Sequence, residues 1–138
     1  MGTTYEFEGN FEWSDYLGYN IYCLFPYQLV NSDGVMVYIL WEQLDGLDVW
    51  RPLPQTTYTN YGALMYSYDF TVSDLTVYLT TDYSVDLLQP ADLYNQIFRV
   101  VVLPSDFAEN RSVAYSTLMS ELEAAGCTYK VFDVKNEK

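Results

Sequence analysis

Val35-Met36-Val37-Tyr38-Ile39-Leu40-Trp41 is a run of seven apolar or aromatic residues, rich in β-branched side chains. Asn31-Ser32-Asp33-Gly34 precedes it and Gln43-Leu44-Asp45-Gly46 follows. A short apolar run between turn residues reads as a strand. Val35, Val37, Ile39 and Trp41 point one way, and Met36, Tyr38 and Leu40 the other. With apolar residues on both sets, the expectation is a strand inside a sheet whose two faces are both covered.

The segments on either side alternate in the same manner. Thr4–Glu8 sets Tyr5 and Phe7 against Glu6 and Glu8, and Phe11 with Trp13 reads as a continuation of the same edge. Tyr19–Phe25 puts Ile21, Cys23 and Phe25 on one face before Pro26 stops it. Downstream, Gln43–Asp48 is a tight connection, and Val49–Pro54 is extended because residues preceding proline avoid the helical region. Two prolines so close place that segment at an edge or in a loop. Thr56–Thr59 reads as a short strand, closed by a turn at Asn60-Tyr61-Gly62. Leu64–Phe70 and Leu75–Thr80, joined at Ser73-Asp74, read as a hairpin. The stretch from Asp82 to Gln96 reads as an acidic loop, and Ile97–Leu103 as a second central strand stopped by Pro104.

Beyond Pro104 the period changes. Asp106 and Glu109 fit a capping box, and Tyr115, Leu118, Met119 and Leu122 make one apolar stripe, so a helix is expected over about 107–125 with Gly126 as its cap. A last strand is expected over 128–134. Seven or eight short strands, one late helix and no internal repeat or linker give the expected class. It is a mainly β chain, an antiparallel β-sandwich of immunoglobulin-like or jelly-roll-like kind with one C-terminal amphipathic helix, forming one domain over residues 1–138.

Composition narrows the functional classes. Six basic residues against nineteen acidic ones give a net charge of −13. Nucleic-acid phosphates and anionic membranes would be repelled, whereas cations would be attracted. There is no histidine, which removes His-based triads, general bases and metal ligands together. Cys23 and Cys127 form no CxxC pair, which argues against zinc; they read either as one disulfide or as buried thiols. All three lysines, Lys130, Lys135 and Lys138, lie at the C-terminal end, away from any candidate Ser–Lys pair, and no phosphate-binding glycine loop occurs. No apolar stretch of membrane-spanning length is present. Met1-Gly2-Thr3-Thr4 has neither a basic nor an apolar leader region and reads as a start that follows a removed targeting segment.

Two constellations remain. Among the acids, Asp82, Asp86 and Asp92 share one loop and Asp45 and Asp48 another, without a spacing that selects a catalytic pair. The first three are the candidate ligands for calcium, against the plainer reading of solvated loop acids. Among the aromatics, fifteen tyrosines suit a β protein with half-buried pleats. Trp50 beside Arg51 and Pro52, with Tyr58 and Tyr61 following, is the candidate stacking surface for a sugar or a Pro-rich peptide. The alternative is that Trp50 covers the sandwich edge.

Val37-Tyr38, Trp50-Arg51-Pro52-Leu53-Pro54, the Tyr-rich hairpin Tyr66–Tyr78 and Phe98-Arg99-Val100-Val101-Val102-Leu103-Pro104 carry a resemblance. Over about residues 35–104 the chain resembles uncharacterised secreted or lipid-anchored proteins of Bacteroides-type bacteria. The resemblance implies an exported β-sandwich at the cell envelope, periplasmic or on the surface, with a signal peptide and a lipid anchor upstream of Thr3. It supplies no catalytic or binding residues. Cys127–Val134 departs from it, being more strand-like than the helical ending of that group. The functional expectation is an exported, non-enzymatic envelope module with a structural or interaction role and no cofactor. Its partner would be an envelope protein or a glycan, and the alternative is a carbohydrate-binding module.

Overall fold

The computed structural model describes residues 3–31, 33–103 and 128–133, the last six as backbone. Among the described residues there are ten strands: β1 (Thr3–Gly9), β2 (Glu12–Ser14), β3 (Gly18–Leu24), β4 (Gly34–Leu44), β5 (Leu47–Pro52), β6 (Gln55–Thr59), β7 (Gly62–Phe70), β8 (Asp74–Thr81), β9 (Gln96–Leu103) and β10 (Thr128–Asp133). They form two five-stranded sheets, β10-β1-β9-β4-β5 and β2-β3-β8-β7-β6. Every neighbouring pair is antiparallel. The chain is a β-sandwich, as its alternating pattern leads one to expect.

The sheets bury one face each against the other. β1, β4 and β9 contribute Tyr5, Phe7, Val35, Val37, Ile39, Phe98, Val100 and Val102, and β3, β7 and β8 contribute Ile21, Cys23, Leu64, Tyr66, Leu75, Val77 and Leu79. Phe98 lies at the centre, fully buried, stacked on Phe7 at 5.2 Å and meeting the edge of Phe11 at 6.1 Å. Across the interface Trp41 meets Tyr66 edge-on at 6.3 Å, and the Tyr68 hydroxyl donates to the Val35 carbonyl at 2.7 Å. That last bond gives the half-buried Tyr68 phenol a partner across the interface.

Four sequence-based expectations need correction or extension. The Val35–Trp41 strand is interior to its sheet but is not covered on both faces: Val35, Val37 and Ile39 are buried, whereas Met36 is 41% exposed and Tyr38 and Leu40 are half-buried. In an antiparallel sandwich only the inner face meets the core, so a greasy strand still shows its other face. Phe11 and Trp13 do not prolong the edge of β1. The chain crosses at Asn10-Phe11 into the second sheet, where Phe11 plugs the core and Trp13, on β2, is 54% exposed. β5 and β6, expected as an edge segment and a short strand, lie at the edges of the two sheets, with the change of sheet at Leu53-Pro54. The 82–96 connection is not all loop: a 3-10 turn at Val85–Leu87 and the short helix α1 (Pro90–Leu93) interrupt it. The expected helix over 107–125 and Cys127 lie outside the described residues. The last strand is present as β10, alongside β1.

The registers fix which connections share an end. β1, β2, β4, β6 and β8 all finish where β3, β5, β7 and β9 begin. That end, called here the loop end, gathers the β2–β3, β4–β5 and β6–β7 turns and the β8–β9 connection.

Candidate functional site

At the loop end each turn is built by its own residues. The β4–β5 hairpin closes through Asp45 and Gly46, both at positive φ (54° and 79°), which is the two-residue geometry whose twist matches the strands. It holds Leu44 opposite Leu47 at the tip, 54% and 71% exposed. In the β2–β3 turn the Ser14 hydroxyl accepts from the Tyr16 and Leu17 amides, which leaves the Tyr16 ring 93% exposed. Trp13 is held by two contacts, its indole N–H donating to Asp15 Oδ1 at 2.9 Å and its ring edge-on to Tyr19 at 5.2 Å.

The β6–β7 turn is tied to the β8–β9 connection. Asp82 Oδ1 accepts from the Ala63 amide at 2.8 Å, and the Asp82 amide returns a bond to the Ala63 carbonyl. Tyr61 packs on Tyr83 with ring centroids 5.9 Å apart. Further along, Asp92 Oδ2 accepts from the Gln89 amide at the start of α1, and Ser84 Oγ accepts from the Asp86 amide. α1 closes the core: the Phe11 amide donates to the Leu93 carbonyl, the Tyr66 hydroxyl to the Asp92 carbonyl, and the Asn95 amide to Asn10 Oδ1. These bonds tie the β6–β7 turn to the β8–β9 connection and the Asn10-Phe11 crossing to α1.

The residues singled out from sequence fall in three places. Trp50 pairs with Leu40 across β5 and β4 and faces outward from the first sheet, half-buried, with the Arg99 guanidinium 4.2 Å from its ring centroid. Arg99 in turn donates through Nε and Nη2 to Glu6 Oε2, at 3.1 and 2.7 Å. Arg51 stacks instead on Trp41, at 4.3 Å. Tyr58, 82% exposed, faces outward from the second sheet, and Tyr61 sits in the turn beside it. Trp50 and Tyr58 thus look out from opposite sides of the sandwich, and the three-ring platform expected from sequence is not assembled. Asp82, Asp86 and Asp92 do share the loop end, but two of the carboxylates cap backbone amides. Among the described residues no three His, Cys, Asp or Glu side chains stand together as a metal-binding group.

Trp13, Tyr16, Leu44, Leu47 and Tyr94 also belong to this end and were not picked out from sequence. Their signal was available: each is a large apolar residue within two or three positions of a turn. The end also carries Glu8, Glu12, Asp15, Glu42, Asp45, Asp48, Asp82, Asp86 and Asp92. Both described cationic side chains, Arg51 and Arg99, lie on the first sheet and are already stacked on tryptophans.

The shifted tyrosines belong to the scaffold. Burial, and then the nearby Asp92 and Tyr83, raise Tyr66 above the ordinary tyrosine value; burial and then Tyr38 raise Tyr68. Tyr78 is raised by burial and by its hydrogen bond to Asp69 Oδ2 at 2.9 Å. A phenol shifted upward stays protonated at neutral pH, so none of the three is poised as a base. No family model, no curated protein and no solved structure matches the chain. Among the described residues no helix is long and apolar enough to cross a membrane.

Proposed function

We propose that the chain is a non-enzymatic interaction module of the cell envelope which binds its partner through the loop end of the sandwich. The observation that carries this reading is the braced end itself. Trp13, Tyr16, Leu44, Leu47, Tyr61 and Tyr94 are each between 48% and 93% exposed there. Exposed apolar clusters with a polar surround mark binding surfaces, and tyrosine and tryptophan are the side chains that anchor them. Loops held by a sandwich are also where such folds carry recognition. The envelope location rests on the resemblance over residues 35–104.

The carbohydrate-binding alternative keeps Tyr58 and Tyr61 and loses Trp50, whose ring already carries the Arg99 guanidinium. A protein partner suits the surface better, because the exposed rings are spread over several loops rather than aligned.

The test is co-sedimentation with envelope fractions of the source cell. The intact protein should co-sediment. The triple variant Tyr16→Ser, Leu47→Ser, Tyr61→Ser should remain soluble with an unchanged melting curve. A control altered on a sheet face, Met36→Ser, should behave as the intact protein does. Retention of the triple variant, or a hydrolytic activity abolished by one carboxylate substitution, would overturn the reading.

A further inference from the structure

Where the chain leaves β1 for β2, a half-open cleft of about 480 Å³ runs between that corner and β3. Glu8, Asn10, Glu12, Trp13, Asn20 and Tyr22 are among its lining residues. β2 is only three residues long, so it pairs with β3 from Gly18 to Asn20 and no further. The cleft begins where that pairing stops. Its walls are preorganised. The Trp13 ring is fixed by its bond to Asp15 and by Tyr19, and the Asn20 amide donates to the Gly18 carbonyl at 2.9 Å and the Glu12 carbonyl at 3.4 Å.

Charge selects what the cleft can hold. Glu8 and Glu12 are both exposed, and neither has an ion-pair partner among the described residues. Glu6, two positions before Glu8 on β1, shows the contrast: it is neutralised by Arg99. Two carboxylates beside an aromatic wall repel an anion, and a neutral ligand gains hydrogen bonds from them but no net charge attraction. A cationic nitrogen gains twice, from Coulomb attraction and from the face of the indole. The net charge of −13 adds long-range attraction for the same class of ligand.

We infer that this cleft is a cation-recognition site that takes the guanidinium or ammonium group of an arginine or lysine side chain, presented by the partner that docks on the loop end. The inference rests on the interaction reading above and names the chemistry of its partner. A free organic cation offers the same group, and the experiment separates the two sources.

The probes are a labelled Gly-Ser peptide with three arginines, the same peptide with glutamines in their place, and arginine amide. Binding is followed by fluorescence anisotropy and by the indole N–H resonance of Trp13. The arginine peptide should bind saturably, more weakly at high salt, and should move the Trp13 resonance. Glu8→Gln with Glu12→Gln should weaken it roughly tenfold, as expected for loss of charges in direct contact with the ligand. Glu42→Gln with Asp48→Asn removes equal charge elsewhere at the loop end and should weaken it by less than about threefold. Tighter binding of the peptide than of arginine amide assigns the cleft to a polypeptide, and equal binding assigns it to a small cation; both uphold the cationic site. Equal binding of the glutamine peptide, or equal loss in the two double variants, would overturn it. Those failures leave the envelope co-sedimentation result untouched, so the two proposals fail separately.

Discussion

At the scale of single residues, two positions show how local chemistry constrains the loop end. Gly62 has a φ of +141°, and a Cβ there would run into the Asp82 carboxylate that caps Ala63. Gly62→Ala should therefore cost more than about 1 kcal/mol, measured by denaturant melting, because it strains the backbone and displaces the cap together. Tyr66 makes the second case. Its folded-state value is raised above 10.0 mainly by burial, and its protonated hydroxyl holds the Asp92 carbonyl. A group raised on folding stabilises the fold below its unfolded value and withdraws that contribution as pH climbs through the folded one. Stability should thus show no Tyr66 contribution to its pH dependence between neutral pH and about 9, and fall above about 10; Tyr66→Phe should flatten that alkaline fall in thermal melts. The tryptophan pairings show what sequence hides at this scale. Trp50 and Arg51 are neighbours in the chain, and neighbours on a strand point to opposite faces, so they cannot stack on each other. Each found its partner on a different strand: Trp50 took Arg99 of β9, and Arg51 took Trp41 of β4. Strand order decides such pairs, and one sequence does not disclose strand order.

At the scale of elements, the alternation of apolar and polar residues was enough to find most of the strands. β3, β7, β8 and β9 lie within a residue or two of the expected limits, because each has one buried set of alternate side chains. Two cues misled. β4 is apolar on both sets and so looked doubly covered, although its outer set of Met36, Tyr38 and Leu40 is partly open. The three-residue β2 is too short to show a period at all. The outer face of the first sheet gives a prediction for its elements. Glu6 on β1 and Arg99 on β9 are cross-strand neighbours, and Arg99 reaches on to Trp50 of β5, so one guanidinium links three strands across the sheet. Both side chains are partly exposed, 17% for Glu6 and 35% for Arg99, so solvent screens the pair. Arg99→Met should cost about 1 kcal/mol or less in denaturant melts and alter the fluorescence of Trp50. An unchanged tryptophan emission would show that the stack is absent in solution.

At the scale of the whole molecule, the sandwich is held by a shared core rather than by local hairpins alone. β1 pairs with β9, and β3 with β8, so residues far apart in sequence meet in both sheets. Phe98 sits where these pairings converge, fully buried between Phe7 and Phe11. Phe98→Ala should cost about 3–5 kcal/mol and lower the melting of both sheets together, seen as one transition by near- and far-ultraviolet circular dichroism. The fold class was legible from the chain because a sandwich needs only a period and a count of strands. The candidate surface was legible in part. Tyr58, Tyr61 and the acids of the β8–β9 connection were visible, but their company with Trp13, Tyr16, Leu44 and Leu47 comes from strand direction, which brings four separate connections to one end. Site-specific photo-crosslinking in the source cell tests that surface most directly, with the reactive group placed at Tyr16, Leu47 or Tyr61 and, for comparison, at Val30, Met36 or Phe70. The account predicts a discrete adduct with one envelope protein from the first three positions and none from the others. Adducts confined to the second set, or none from any position, would contradict it.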